Sequence, residues 1–126
     1  ENFFMYLENN DLCKRIKNIG ESIYVVPKSK INHLAAKAVN NRFKDEVEFS
    51  RNWHWIWSKF YYNKKHFSFF KAFYDGFPVC CTSILKLIFY LLIKNKKKKR
   101  IYFNRASGFY NAFLGRASWY RPDLTD

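Results

Sequence analysis

Glycine, proline, cysteine and acidic residues are all scarce in this chain. Four of its 126 residues are glycine and three are proline. With so few glycines there is no glycine-rich phosphate-binding loop, and the sequence contains no Asp-x-Asp pair that would hold a metal-nucleotide. The three cysteines, Cys13, Cys80 and Cys81, are an odd number with two of them adjacent and no Cys-x-x-Cys spacing. That excludes a disulfide framework and a zinc site, and leaves free thiols in a reducing compartment. A signal peptide is also missing. The opening Glu1-Asn2-Phe3-Phe4 is apolar by its third residue and reads as a point inside a domain. No internal repeat is visible.

Bases and aromatic residues are abundant. Lys and Arg number 23 against ten Asp and Glu, giving a net charge of +13, and aromatic residues make up 21% of the chain. The charge is uneven: residues 1–50 carry 8 bases and 7 acids, whereas residues 51–126 carry 15 and 3. The second part therefore calls for an anionic partner that tolerates apolar contact, either phospholipid or nucleic acid.

Local pattern divides the chain into three stretches. In residues 1–50, Asn9 and Asn10 precede a short helix over Asp11–Gly20, with Leu12, Ile16 and Ile19 on one face and Gly20 as its stop. Ser22–Val26 is β-rich up to Pro27, and Lys30–Leu34 alternates, so both read as strands. From about Phe43 to Tyr74 the period turns helical. Trp53, Ile56, Trp57 and Phe60 mark an aromatic face over residues 51–76, which ends at Gly76 and Pro78. Residues 77–126 hold an apolar run over Phe77–Ile93, the polybasic Lys94–Arg100 and a last helix near Tyr102–Leu114.

The stretch Phe3-Phe4-Met5-Tyr6-Leu7-Glu8-Asn9-Asn10-Asp11-Leu12-Cys13-Lys14-Arg15 resembles the "FF-Y-E-D-x-D-L-x-x-R" signature of bacterial family-2, rhamnosyltransferase-like glycosyltransferases. Further along, His33 corresponds to a family "V-x-H". Ser58, Tyr62, Lys65 and His66 are similar to "S-x-x-x-Y-x-x-K-H", and Ser118–Pro122 resembles a common ending. The resemblance implies an α/β fold: residues 1–50 would be the last helix and strands of a GT-A-type nucleotide-sugar transferase domain. A mainly helical, membrane-associating tail would follow.

It also implies an activity, the transfer of a sugar from a nucleotide-sugar donor to a glycan or lipid-linked acceptor in cell-surface polysaccharide synthesis. Inverting transfer needs a base to take the acceptor's proton. The family's base is the Asp after the Glu, and here that position is Asn9, which cannot serve. Asp11 is then the first candidate and Glu8 the second, with helix capping as the alternative role for both. His33 corresponds to a histidine that reaches the metal and diphosphate. A divalent metal, Mg or Mn, is expected for the full enzyme, but tight binding of metal or sugar nucleotide is not expected of this stretch alone. His54 and His66 read as packing residues.

The Phe77–Ile93 run would span about 25 Å as a helix, short of a bilayer core of about 30 Å, with Lys86 at its midpoint. Shallow insertion on the cytoplasmic side of the inner membrane is therefore expected, with Lys94, Lys96, Lys97, Lys98, Lys99 and Arg100 binding anionic lipid. A non-catalytic membrane-interface module is the alternative function. Nucleic acid is not expected as a partner, because the bases adjoin a continuous apolar run instead of alternating with stacking aromatics.

Overall fold

The computed structural model describes residues 2–31 and 40–124. Among these residues the chain forms four α-helices and a single 3-10 turn: α1 (Glu8–Asn18), the turn Asn41–Phe43, α2 (Lys44–His66), α3 (Phe69–Leu92) and α4 (Lys96–Phe113). There is no strand among the described residues, which overturns the expected α/β fold. Ser22–Val26 is non-helical, and Tyr24, Val25 and Val26 are exposed. β-Branched residues favour a strand only where a second strand can take up the backbone hydrogen bonds. No described segment lies alongside this one. The second expected strand lies mostly outside the described residues, as does His33.

Helices α2, α3 and α4 form one bundle. Two residues, Phe67 and Ser68, separate α2 from α3, and three, Ile93–Asn95, separate α3 from α4, so each successive pair is antiparallel. Helices α2 and α4 then run parallel. This shows in their paired positions: Lys97 with Asp45, Asn104 with the Phe49 carbonyl, and the Trp53 indole with Ser107. Trp53, Ile56, Trp57, Phe60, Ala72, Phe109 and Ala112 make the buried core. Each buried indole also finds an acceptor: Trp53 donates to Ser107 Oγ at 3.2 Å and Trp57 to the Arg116 carbonyl at 3.0 Å. Leaving either unpaired would carry a desolvation penalty.

Several boundaries differ from the sequence pattern. Helix α1 starts at Glu8 with Leu7 at its N-cap, so Asn9 and Asn10 lie inside it, and α4 starts at Lys96 and takes in most of the polybasic run. The aromatic helix breaks after His66, where Ser68 caps α3 by accepting the Lys71 amide at 3.1 Å. Gly76 and Pro78 do not end a helix, because α3 runs through both. Proline lacks the N–H that would bond the Tyr74 carbonyl one turn back, and Tyr74 lies on the exposed side of the helix. Gly76 instead makes room for Phe109, whose ring would lie 2.7 Å from an added Cβ.

Helix α4 begins with four lysines and an arginine, against the preference of a helix N-terminus for negative charge. Acids at the start of α2 offset this. Lys97 bonds Asp45 at 2.7 Å and Glu48 at 2.8 Å, which holds the lysine protonated. Arg100 forks onto both oxygens of Glu46, the second at 2.8 Å.

At Gly108 the bundle has no room to spare, since an added Cβ would lie 2.5 Å from the Trp53 carbonyl oxygen, a backbone atom. Gly108→Ala should therefore push α2 and α4 apart and lower stability by about 1–3 kcal/mol despite alanine's better helix propensity. Thermal unfolding measures this, and an unchanged or raised midpoint would contradict the packing.

Candidate functional site

The segment before α1 lies along the outer flank of α2. Asn2 donates to the Tyr61 hydroxyl at 2.7 Å, Phe3 meets the Tyr61 ring edge-on, and Ser58 Oγ donates to the Met5 carbonyl at 2.7 Å. Tyr6 then packs edge-on against Trp55 and accepts from Arg51 Nε. The chain thus runs back along α2 from Tyr61 toward Arg51. Tyr6 and Leu7, at φ 67° and 64°, reverse its direction. Two successive non-glycine residues in the left-handed region store strain of about 1–3 kcal/mol each, a feature concentrated at functional sites. Glu8 follows immediately and opens α1.

Asp11 anchors α1. It is 1% exposed. Its Oδ1 accepts from Lys65 Nζ at 2.6 Å and from His66 Nε2 at 2.7 Å, while Oδ2 accepts from Arg15 Nε at 2.9 Å. Burial by itself would raise the carboxyl's pKa. The hydrogen bonds from Lys65, His66 and Arg15 outweigh that and bring it down to about 2. A carboxylate this well held is a weak base, and its oxygens are occupied. The same three donors occupy both Asp11 oxygens, two of them with fixed positive charge, so the metal implied by the resemblance does not fit at Asp11. No group of three potential ligands occurs among the described residues.

Glu8 is placed differently. Its Oε2 is buried and has no hydrogen-bond partner. It lines an open cleft with Phe3, Asn9, Leu12 and Arg15, and Asp11 lines a neighbouring cleft that shares Phe3 and Arg15. The structure therefore brings Glu8 and Asp11 to one region with distinct environments: both Asp11 oxygens are engaged, whereas Glu8 Oε2 is not. Asn9 faces a third cleft, lined also by Asn10, Cys13, Lys14, Lys17 and Tyr62.

His54 is fully buried. Its Nε2 lies 2.7 Å from the Tyr120 carbonyl, which can only accept, so Nε2 carries the proton and Nδ1 accepts from Ser118 Oγ at 3.1 Å. Burial, with the nearby Arg121 charge, pushes its pKa below the ordinary value despite the Tyr120 hydrogen bond. His54 thereby pins the C-terminal Ser118–Arg121 to α2, and Arg121 lies 3.7 Å over the Phe4 ring. The role of His66 as a partner of Asp11 was not legible from the sequence, although the Lys65-His66 spacing after Ser58 and Tyr62 marked the place.

The polybasic run is split. Lys97 and Arg100 are paired with α2, whereas Lys94, Lys96, Lys98 and Lys99 are exposed and have no acid partner among the described residues. Helix α3 is long and apolar enough to cross a membrane. Its outward row includes Phe70, Tyr74, Phe77, Leu85, Ile88 and Leu92, all exposed.

Comparison with protein-family models, with curated proteins and with solved structures found no match to the chain.

Two measurements test the anchoring. Asp11→Asn should release α1, because an isolated helix of 11 residues is marginal in water. Amide exchange across Glu8–Asn18 should then rise toward free-peptide rates while α2 and α4 stay protected, and unchanged protection would refute the anchor. Acid should act in two stages. His54 binds a proton more readily unfolded than folded, so stability should begin to fall below about pH 6.5. Asp11 is likewise more acidic when folded, so its contribution is complete above its ordinary value of 3.8 and is lost as pH falls toward 2. Stability that stays flat from pH 7 to 4 would contradict the His54 assignment.

Proposed function

We propose that the chain is the helical, membrane-seated portion of a sugar transferase that passes a sugar from a nucleotide donor to a glycan or lipid-linked acceptor at the cytoplasmic membrane. One observation carries this reading. Three stretches that separately resemble family-2 glycosyltransferases meet on α2, though they are far apart in sequence. Asp11 of the first bonds Lys65 and His66 of the second, Ser58 of the second bonds the Met5 carbonyl of the first, and Arg121 of the third covers Phe4. Residues that serve one site have this reason to be spread along the sequence and close in space.

In this reading Glu8 takes the proton of the acceptor hydroxyl as its oxygen bonds to the anomeric carbon, and the nucleotide diphosphate leaves with the bonding electron pair. The donor and any cation that travels with it bind away from the Asp11 cluster. The strained turn at Tyr6 and Leu7 sets the direction of the Glu8 side chain.

The membrane placement follows from α3. Its 24 residues span about 36 Å. One side packs on α2 and α4 through Ala72, Phe73, Gly76 and Ser83, and Lys86 rests over the Tyr102 ring of α4. A crossing would drag the charged helices α2 and α4 into hydrocarbon, at several kcal/mol for each charge. Lying in the surface plane sinks only the outer row, leaving the free lysines of α4 for lipid phosphates. A non-catalytic interface module is the second reading, favoured by Asn9 at the family's base position and by the engagement of Asp11.

In the intact protein, Glu8→Gln should lower sugar transfer by about 10²–10⁴-fold without loss of folding. Turnover equal to the wild type would remove Glu8 as the base, and no sugar transfer by the wild type would favour the second reading. Replacing Lys94, Lys96, Lys98 and Lys99 with Gln should weaken binding to phosphatidylglycerol vesicles by about three orders of magnitude, at about 1 kcal/mol for each base. No flotation of the wild type with any vesicle would contradict membrane seating.

A further inference from the structure

Another cleft lies at the opposite end of the Asn2–Leu7 segment from Asp11, between α2 and α4. It is open, about 340 Å³, and is lined by Tyr6, Glu48, Arg51, Asn52, Trp55 and Arg105. The helical repeat puts positions 48, 51, 52 and 55 of α2 on one face, and the parallel α4 brings Arg105 alongside.

Two cationic side chains in this cleft form no ion pair among the described residues. Arg51 uses Nε to donate to the Tyr6 hydroxyl at 3.2 Å, and Arg105 uses Nε to donate to Asn52 Oδ1 at 2.7 Å. Both acceptors are neutral, so each guanidinium is held in place without spending its charge. Glu48 lines the same cleft but bonds Lys97 at 2.8 Å, a lysine it shares with Asp45, so two arginines face one carboxylate and the cleft keeps a net positive charge. Fixing a guanidinium through Nε leaves its Nη donors for a ligand, in the forked geometry that suits phosphate oxygens. Trp55 is 46% exposed and stands edge-to-face with Tyr6, ring centroids 5.3 Å apart. An exposed indole beside two arginines offers an apolar platform next to the charge.

We infer that this cleft is an anion-binding site for a phosphate ester, with Arg51 and Arg105 on the phosphate and Trp55 and Tyr6 against the carbon body that bears it. The ester is either a soluble sugar phosphate or the headgroup of a phospholipid. Lys98 and Tyr102 fall on the same face of α4 as Arg105, one to two turns earlier, and Lys98 is free and exposed. A basic path therefore leads into the cleft from the lysine-rich start of α4. The inference does not depend on the sugar-transferase reading. Its residues are separate from Glu8 and from the Asp11 cluster.

The test titrates the full chain with glucose 1-phosphate and with glucose by calorimetry, and in parallel measures sedimentation with vesicles of phosphatidylcholine alone or with phosphatidic acid. Wild-type protein should bind the phosphate ester saturably in at least one arm and should not bind glucose. Binding in the soluble arm identifies a sugar phosphate, and an arginine-dependent gain confined to phosphatidic acid vesicles identifies a headgroup. The double substitution Arg51→Gln and Arg105→Gln should weaken that binding by at least about tenfold, as charge-assisted hydrogen bonds at two guanidiniums require. Trp55→Ala should weaken it separately. Lys28→Gln, exposed and outside the cleft, should leave soluble binding unchanged. Unchanged unfolding midpoints show that the variants fold. Overturning results are no saturable binding in either arm, or binding that the double arginine variant keeps.

Discussion

The structure depends on how closely α2 and α4 approach each other. Gly108 sits against the Trp53 carbonyl with no space for a methyl group. That contact sets the register in which Asp45 meets Lys97, Asn104 meets the Phe49 carbonyl, and Trp53 meets Ser107. With α2 and α4 held side by side and parallel, α3 packs one face against both and turns its other face outward. The N-terminal segment and the C-terminal Ser118–Arg121 are then left to cover the remaining flank of α2. Separating the two helices would remove the surfaces on which α1, the buried histidine and the two-arginine cleft are all built.

The charge distribution follows from the same arrangement. A chain of net charge +13 would repel itself if its bases were clustered without relief. Here the few acids are placed where they relieve most. Asp45, Glu46 and Glu48 neutralise two of the bases at the start of α4, and Asp11 collects Arg15, Lys65 and His66. Part of the positive charge left over lies on the exposed lysines of α4 and on Arg51 and Arg105, where an anionic partner can reach it.

Parts of this could be read from the sequence. The aromatic face of α2 followed from the spacing of Trp53, Ile56, Trp57 and Phe60, and a short helix around Asp11 from its pattern, although Asn9 and Asn10 lie inside α1 and do not cap it. The α/β fold was a misreading with a physical cause. Ile23–Val26 has the composition of a strand, but composition says nothing about whether a partner strand exists. Pro78 likewise looks like a terminator, yet a proline is tolerated where the freed carbonyl belongs to an outward residue such as Tyr74. The candidate site was legible as a set of motifs but not as an arrangement. Nothing in the spacing of Asp11, Lys65 and His66 reveals that they bond one another, and it is this bond that separates the environments of Asp11 and Glu8.

In the proposed membrane placement, α3 lies in the surface with its outer row sunk in lipid and the α2 flank facing water. A spin label at Leu85, in a chain whose three cysteines are replaced by serine, tests it most directly on phosphatidylglycerol vesicles. The label should become accessible to oxygen and shielded from a water-soluble nickel relaxant, while a label at Lys59, exposed on α2, stays open to nickel. Leu85 remaining as open to nickel as Lys59 on lipid-bound protein would contradict it.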